Sequence, residues 1–425
     1  MTDPHLTHTE DEGVLEKKFA KYVPGSLFVG VIASLAFFAS ILLTTDQHVL
    51  TQLVGSWMYG WTFWMTITFS MFGLTMLHHA VRGQWTLSIL RFLEAGGGWK
   101  ALVTMGALFV PIVISMILHK GHLYHWADPD AVKHDHVLQW KSAYLNIPGF
   151  ISRTVIFIGM WAALAWGMKN SVKKQERSGE FKYEAGRSSW GAVGLVFFVL
   201  SVTFAMTDWV MSMEPHWSST MFGPWTLMGG VGAALALCIL LLCNNAKTAP
   251  FNGVVFPGLT KDLGNMLFAF TMLWGYTSVS QYLIIWNGNL PETTSYFAKR
   301  SSMNFPAGME ANNWGALGLA LIIGRFFVPW FWLLAPRTKR TPEALRRVCG
   351  WVLVMHVLDV YMLVVPATGD RVKLGPIQIG NNALDIVALF VIGLVWWGIF
   401  SLHLSKFPFL ARYDSRLQEA KAHAH

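Results

Sequence analysis

The chain has 425 residues, of which 53% are hydrophobic and only 13% are charged, and its mean hydropathy is +0.42. Because a soluble globular chain carries about 25% charged residues, this composition excludes an ordinary soluble domain and indicates a helical membrane protein. The net charge of +8 is confined to particular loops, so it does not indicate a nucleic-acid-binding surface.

Ten apolar stretches divide the chain, each close to the ~20 residues that a bilayer-spanning helix needs. Backbone groups in lipid must be hydrogen-bonded within their own segment, so each stretch is predicted to be a helix. We therefore predict an all-α polytopic membrane domain over 24–405, between cytoplasmic tails over 1–23 and 406–425. The predicted helices lie near 25–44, 54–79, 100–118, 148–168, 190–213, 221–243, 263–287, 313–334, 348–366 and 383–402.

Lysine and arginine residues alternate between dense and sparse loops. The two termini and the loops after helices 2, 4, 6 and 8 hold 23 of the 32 basic residues, whereas the loops after the odd-numbered helices hold seven. The other two, Arg153 and Arg325, lie inside helices. Because cytoplasmic loops carry the excess of Lys and Arg, both termini are predicted to be cytoplasmic.

Two basic loops, 169–187 and 337–347, lie on the predicted cytoplasmic side. We interpret them as topology determinants that contact anionic membrane lipids; a docking surface for a soluble partner is the alternative. On the opposite side, the longer loops 119–147, 288–312 and 367–382 are rich in Gly, Pro, Asn and Trp. They are predicted to be ordered caps beneath a periplasmic partner.

The first of these caps is rich in histidine and aspartate, which raises the question of a metal site. Its spacings match no standard zinc pattern, so we interpret these side chains as part of the cap and predict no metal centre. The residues concerned are His119, His122, His125, His134, His136, Asp128, Asp130 and Asp135.

The end of helix 5 and the short turn after it carry Asp208, Glu214 and His216. A carboxylate near the end of a spanning helix is costly unless it is paired, hydrated or used, and histidine titrates near working pH. We predict that these three side chains pass protons to the periplasmic surface. The alternative is a hydrated or capping role. Arg153 on helix 4 is a candidate ion-pair partner for Asp208.

Helix 9 carries the strongest functional signal, His356 and Asp359, three residues apart and so on one helix face. Ionisable groups at membrane depth are functional candidates by default. Arg325 on helix 8 is also deep and needs a partner, and Asp359 is its first candidate. We predict that these three side chains form the inner part of a proton path; a buried pair that only fixes helix packing is the alternative.

Helix 7 places hydroxyl and amide groups at membrane depth, and Tyr276 is a further candidate for the proton path. A hydrogen-bonded seam between helices is the plainer interpretation. A b-type haem between His78 and His356 is disfavoured, because evenly spaced histidine pairs are absent. The cysteines, Cys238, Cys243 and Cys349, form no CxxC or CxxCH motif, which argues against iron–sulfur or covalent c-haem sites.

The stretch FAMTDWVMSMEPHWSSTMFG, over residues 204–223, resembles the smaller of the two polysulfide-reductase-C-like (NrfD-like) membrane subunits of bacterial alternative complex III, a quinol:cytochrome c oxidoreductase. Two further stretches, His122–Arg153 and Thr271–Glu292, and the charge pattern of ten helices look like the same family. The resemblance covers nearly all of residues 20–410.

The resemblance implies two four-helix bundles, helices 2–5 and 6–9, flanked by helices 1 and 10, in the bacterial plasma membrane. The partners that it implies are a larger homologous NrfD-like subunit and periplasmic iron–sulfur and c-type haem subunits. A terminal oxidase is a further candidate partner. Haem and iron–sulfur clusters would belong to those partners, and this subunit would hold no metal or redox centre. Quinone contact is implied, with quinol oxidation assigned to the larger sibling. Proton-path roles are carried onto Asp208, His216, Tyr276, His356 and Asp359.

Two other functions stay open at this stage. A stand-alone proton-coupled secondary transporter would show interrupted helices at matching positions in its two halves; Pro111 interrupts helix 3, but helix 7 has no matching proline. The second alternative is a purely structural membrane anchor whose buried charges are all satisfied.

Overall fold

The computed structural model describes residues 13–81, 83–300, 313–368 and 382–410, and in these residues every regular element is a helix. Eight of the described helices are long and apolar enough to cross a membrane. Two more, of 35 and 32 residues, have the length but are less apolar. The prediction of an all-α, multi-pass membrane protein is therefore confirmed at this level, whereas the count of ten spans and their orientation stay predictions.

Every predicted apolar stretch falls on one of ten long helices in the described part of the chain, which are numbered here in chain order. They are α1 (Val14–Leu43), α2 (Gln47–Val81), α3 (Leu90–Ile117), α4 (Ile147–Ser178), α5 (Lys182–Trp209), α6 (Phe222–Asn244), α7 (Pro257–Gly288), α8 (Trp314–Leu334), α9 (Pro342–Val364) and α10 (Asn382–Leu404). Short helices lie between them at Pro129–His134, His136–Lys141, Pro291–Arg300 and Pro336–Arg340.

The two predicted tails are partly structured where they are described. Helix α1 already begins at Val14 and runs through Pro24, so the last ten residues of the predicted N-terminal tail belong to the first helix. The apolar ring of Phe19, in this extension, packs against the rings of Phe400 and Phe409. The remaining parts of the predicted tails, 1–12 and 411–425, lie outside the described residues.

Two rings of four helices form the body of the described structure. Helices α2, α3, α4 and α5 contact one another in order and α5 returns to α2; helices α6, α7, α8 and α9 close a second ring in the same way. Helix α2 also contacts α6 and α9, which joins the rings, and α1 packs on α10, which packs on α2. This central position explains why α2 is buried along almost its whole length.

Helix α3 is interrupted before Pro111, as its sequence predicts, because proline has no N–H to donate. The interruption frees carbonyl groups of the preceding turn, and two tryptophans of α2 bind them. The indole N–H of Trp57 donates to the carbonyl oxygen of Leu108 over 2.8 Å, and that of Trp61 to Met105 over 2.7 Å. Helices α2 and α3 are thereby held together through backbone groups that lipid could not satisfy.

Helix α8 is also irregular, because residues Ile322–Phe327 form a π-helical turn directly before Pro329. Pro329 cannot donate to the carbonyl four residues earlier, which belongs to Arg325. The wider turn also frees the Gly324 carbonyl, which accepts a 2.6 Å hydrogen bond from the indole of Trp351. Such turns often occur at functional sites.

Helix α7, unlike α3 and α8, has no interruption and is continuous from Pro257 to Gly288.

Candidate functional site

Arg325, His356 and Asp359 meet inside the second ring. The Nη2 atom of Arg325 lies 3.2 Å from Oδ2 of Asp359, 3.1 Å from Nδ1 of His356 and 3.1 Å from the carbonyl oxygen of Gly229 on α6. The ion pair that the sequence suggested between Arg325 and Asp359 is therefore formed. His356 and Asp359 also share a face of α9, with 3.8 Å between Nδ1 and Oδ2.

The hydrogen-bond partners of His356 fix its tautomer. A guanidinium group can only donate, so Nδ1 of His356 accepts from Arg325. The Nε2–H group then donates to the hydroxyl oxygen of Thr66 on α2, 3.1 Å away, and this hydroxyl donates to the Phe63 carbonyl over 2.8 Å. His356 is accordingly neutral in this arrangement, and its ring is held between two helices.

The donors of Arg325 are unevenly used. Nη2 carries two hydrogens but faces three acceptors, whereas Nε and Nη1 are buried with no hydrogen-bond partner in the described part of the protein. The guanidinium carbon lies 4.8 Å from the centre of the Trp274 ring, which gives the charge a cation–π contact. The cluster therefore has more than one satisfactory hydrogen-bond arrangement.

Accessibility differs among the three side chains. Those of Arg325 and His356 are 5% and 2% exposed, whereas that of Asp359 is 17% exposed. Asp359 is thus the most exposed member of the cluster.

Two consecutive glycines of α6 make room for the cluster. A Cβ atom on Gly229 would lie 3.1 Å from Nη2 of Arg325 and 3.3 Å from Oδ2 of Asp359. A Cβ atom on Gly230 would lie 2.5 Å from Oγ of Ser70 on α2. Helix α6 can therefore approach α2 on one side and the ionic cluster on the other. Sequence reasoning missed this feature, although the glycine pair within an apolar run was a visible signal.

Glu214 lies at the end of the second ring that is predicted to be periplasmic. Its carboxylate accepts from Nη1 of Arg300 at 3.0 and 3.1 Å, with Nζ of Lys299 3.5 Å away. Arg300 also donates to the carbonyl oxygens of Met362 and Leu363 over 3.1 and 3.2 Å. The guanidinium group therefore ties Glu214 to the last turn of α9, where backbone carbonyls lack helical partners.

Tyr296 packs against the Arg300 side of this pair. The Arg300 guanidinium is 3.7 Å from the centre of its ring, and the ring of Trp217 stacks on it at 4.0 Å. Burial raises the pKa of Tyr296 to about 12, although the charge of Arg300 acts in the opposite direction. Tyr296 is therefore neutral at physiological pH.

The predicted outward group of Asp208, Glu214 and His216 is not assembled. Asp208 pairs with Arg153 in the first ring, Glu214 pairs with Arg300 on the second ring, and Nε2 of His216 lies 2.9 Å from Oδ2 of Asp135. Their role in passing protons stays a prediction, but no direct contact among the described residues links the three. The physical reason is that the chain after α5 crosses from one ring to the other, so neighbours in sequence meet different partners.

Asp208 is fully buried in a bidentate ion pair. Its Oδ2 and Oδ1 atoms accept from Nε and Nη2 of Arg153 over 2.7 and 3.2 Å, as suggested from the sequence. The ring centre of Tyr144 lies 3.9 Å from the Arg153 guanidinium. Burial raises the pKa of Tyr144 to about 12, and the charge of Asp208 acts in the same direction, so Tyr144 stays neutral at physiological pH. This geometry is that of a structural pair between α4 and α5.

Tyr276 is 68% exposed on α7, so it does not line an internal path in this chain, contrary to its predicted place. Two other polar side chains of α7 form hydrogen bonds with neighbouring segments. Ser278 accepts from the indole of Trp225 over 2.8 Å, and Gln281 accepts from Ser219 over 2.6 Å. These two contacts are the hydrogen-bonded helix seam of the plainer interpretation.

His78 and His356 do not face each other. His78 contacts the Thr86 hydroxyl, whereas His356 contacts Thr66, which lies 12 residues before His78 on α2. At 1.5 Å per residue this separation is about 18 Å, too far for one haem iron. In the histidine-rich cap, too, the described residues contain no group of three or more side chains suited to a metal ion.

A second buried charge cluster was not recognised in the sequence. Arg91, only 2% exposed, donates to Glu94 over 2.7 Å and to Glu176 over 2.8 Å. Beside it lies a cavity of about 40 Å³, lined also by Lys169 and His403. The pattern RFLE was the available signal: it falls in the predicted loop before helix 3 but forms the first turns of α3 in the structure, where buried charges must pair.

A scan against protein-family models gives no match for this chain, and a search of curated proteins gives none either. The resemblance to NrfD-like subunits therefore rests on the quoted motifs. What the geometry adds is a neutral histidine, a buried arginine and a partly accessible carboxylate in one hydrogen-bonded set.

Proposed function

We propose that this chain is an integral membrane subunit of a quinol oxidoreductase complex whose electron acceptor is cytochrome c or an oxidase, and that it provides a proton path. The observation that carries the proton path is the cluster of Arg325, His356 and Asp359 in the second ring. Ionisable side chains at membrane depth are rare, and they mark ion pathways and proton relays.

The path begins with a competition for hydrogen bonds. If Nδ1 of His356 takes up a proton, it becomes a donor and can no longer accept from Arg325. Nη2 of Arg325 then serves only Asp359 and the Gly229 carbonyl, which are two acceptors for its two hydrogens. Protonation of His356 would therefore break its contact with Arg325 and turn Nδ1–H into a donor near Oδ2 of Asp359, 3.8 Å away, and deprotonation would reverse this.

Water supplies the next step. Nε and Nη1 of Arg325 have no partner among the described residues, and buried polar groups without protein partners are usually satisfied by ordered water. Asp359 is partly exposed. A short water chain from the guanidinium past Asp359 would let a proton leave the ring.

The outward branch runs through Glu214 in place of Asp208. Glu214 is held by Arg300, whose guanidinium also lies 3.7 Å from the ring centre of the neutral Tyr296, and water would have to connect this group to Asp359. Asp208 is fully buried and paired, which suits a structural role.

The assignment to a redox complex depends on the family resemblance. It implies the larger homologous subunit and the periplasmic iron–sulfur and c-type haem subunits as partners, with quinone contact and no redox centre in this chain. The charge asymmetry of the loops supports cytoplasmic termini in a bacterial plasma membrane.

Purification from native membranes tests this assignment. A complex subunit carrying an affinity tag is expected to elute with haem-bearing partners and with quinol:acceptor activity. Elution as a cofactor-free monomer or homo-oligomer would contradict the complex and favour a secondary transporter.

A charge-neutral substitution tests the proton path within the intact complex. With Asp359→Asn in proteoliposomes, electron transfer is expected to continue while fewer protons are released per electron. Asp208→Asn is the control, because it also removes a buried carboxylate but leaves the path intact. Equal proton release by both variants and the unmodified complex would leave only a structural anchor.

A further inference from the structure

An open cleft of about 610 Å³ lies where α4 ends and α5 begins, at the predicted cytoplasmic end of the first ring. Its walls carry five basic side chains and no carboxylate. Two tryptophans, Trp166 and Trp190, flank it and are 55% and 58% exposed. This cleft shares no residue with the proton-path cluster. The basic residues are Lys173, Lys174, Arg177, Lys182 and Arg187.

Two of the five cations already have partners. Lys182 pairs with Glu180, and the buried Arg187 donates to Gln175 and to the hydroxyl of Ser171. The other three, Lys173, Lys174 and Arg177, are exposed, and no carboxylate of the described residues forms an ion pair with them. They are one helical turn or less apart on α4, so their charges converge on one region.

An apolar surface continues from the cleft along both helices. On α5 the exposed side chains of Val193, Phe197 and Leu200 follow Trp190 at spacings of three and four residues, which is one helix face. On α4, Gly159 and Ala163 precede Trp166 on an exposed face, and a Cβ on Gly159 would meet nothing within 4 Å. The two helices pack against each other, so these exposed apolar faces continue from the cleft on neighbouring helices.

We propose that this cleft binds the headgroup of an anionic phospholipid, with its acyl chains along the exposed faces of α4 and α5. Lys173, Lys174 and Arg177 hold the phosphate, because clusters of basic residues at the cytoplasmic end of a spanning helix attract anionic headgroups. Trp166 and Trp190 lie at the boundary between headgroup and acyl chains, where amphipathic rings are favoured.

The space between the tryptophans depends on glycine. A Cβ on Gly167 would lie 3.3 Å from the Trp190 ring, so the absence of a side chain lets this ring lie against α4. Gly186 on α5 lines the cleft, and a Cβ there would meet nothing within 4 Å. A side chain added at Gly186 would therefore project into the proposed headgroup site.

Native mass spectrometry tests the proposal. It measures which lipids stay bound to the detergent-purified protein and to any subunits that co-purify with it. The unmodified protein is expected to keep cardiolipin or phosphatidylglycerol after delipidation and to keep little phosphatidylcholine. The triple variant K173Q/K174Q/R177Q is expected to bind added cardiolipin roughly a hundredfold more weakly, as three lost cations imply. The matched control R337Q/R340Q/R347Q removes three exposed cations from the other basic loop, which does not line this cleft, and is expected to weaken cardiolipin binding much less than the triple variant does.

A second variant tests the same site without removing any cation. Gly186→Glu adds a carboxylate to the cleft and is expected to weaken cardiolipin binding while the protein elutes normally on size exclusion. Equal lipid retention by the unmodified protein, the triple variant and Gly186→Glu would overturn the proposal. Inorganic phosphate that raises the melting temperature as much as cardiolipin does would overturn the lipid assignment in favour of a free-phosphate site.

Discussion

The guanidinium group of Arg325 donates to the ring Nδ1 atom of His356 over 3.1 Å inside the second ring of helices. Because arginine cannot accept a hydrogen bond, this contact exists only while Nδ1 of His356 is unprotonated. A proton on that atom and the contact with Arg325 exclude each other. The pair is therefore a point at which proton uptake must change the hydrogen bonding of a buried charge.

The first prediction concerns the balance of charge in this cluster. Arg325→Gln leaves Asp359 without its cation, and removal of one partner from a buried pair costs about 3–5 kcal/mol. The double variant R325Q/D359N removes both charges and is expected to be more stable than R325Q alone. Thermal unfolding in detergent measures both. A double variant no more stable than the single one would mean that the two charges are not coupled.

The second prediction separates the buried pair of the first ring from the proton path. Asp208→Asn leaves Arg153 unpaired, and because Arg153 is 21% exposed we expect a loss near the low end of that range, about 3 kcal/mol. The ratio of protons released to electrons transferred is expected to stay unchanged in the surviving complex. A lower ratio of protons released to electrons transferred, at normal stability, would contradict this prediction and make Asp208 part of the proton path.

The third prediction uses two glycines of α6. Gly229→Ala puts a methyl group 3.1 Å from Nη2 of Arg325 and 3.3 Å from Oδ2 of Asp359. The side chains of Arg325 and Asp359 must therefore shift away from α6. Slower proton release with a small loss of stability is expected.

Gly232→Ala is the matched control, because a Cβ there meets nothing within 4 Å and alanine favours helix by about 1 kcal/mol. It is expected to leave proton release unchanged and stability equal or higher. Equal proton release in Gly229→Ala and Gly232→Ala would show that the close approach of α6 does not matter for transfer.

The fourth prediction tests Glu214 as the outer end of the path. Glu214→Gln keeps an oxygen acceptor for Arg300 but cannot carry a proton, so proton release is expected to fall as it does with Asp359→Asn. Glu292→Gln changes an exposed glutamate on the neighbouring short helix and is the control. Proton release in liposomes, at matched rates of electron transfer, is the measurement, and identical results for both glutamates would remove Glu214 from the path.

The fifth prediction is a pH dependence of the cap. Partial burial acts to raise the pKa of Asp135, but hydrogen bonds from the backbone of Leu138 and Val137 and the contact with His216 outweigh it and lower the pKa. A carboxyl whose folded pKa is depressed contributes stability above its unfolded pKa, and this contribution is lost as pH falls through the folded pKa. The melting temperature should therefore decrease when the pH is lowered below about 4.

Asp135→Asn is the control for this effect, because an amide oxygen still caps the helix that begins at His136 but does not titrate. Its melting temperature is expected to vary less with pH in the same range than that of the unmodified protein. Parallel pH profiles for the two proteins would assign the acid sensitivity to other carboxylates.

The sequence by itself determined the helices and where along each helix its charges lie. In lipid each segment must satisfy its own backbone hydrogen bonds, so an apolar stretch becomes a helix whatever its neighbours are. The same locality made the pairs on adjacent helices accessible to reasoning: Arg153 with Asp208, and Arg325 with Asp359, need only the rise per residue and chain order.

The tertiary structure alone decided which distant groups share a site. Glu214 and His216 are two residues apart, yet one binds Arg300 and the other Asp135, because the connection between the rings divides them. Thr66 reaches His356 across 290 positions of the chain, a contact set by how α2 packs on α9. Packing depends on the sum of many weak side-chain contacts over the whole chain, and no local pattern of residues specifies that sum.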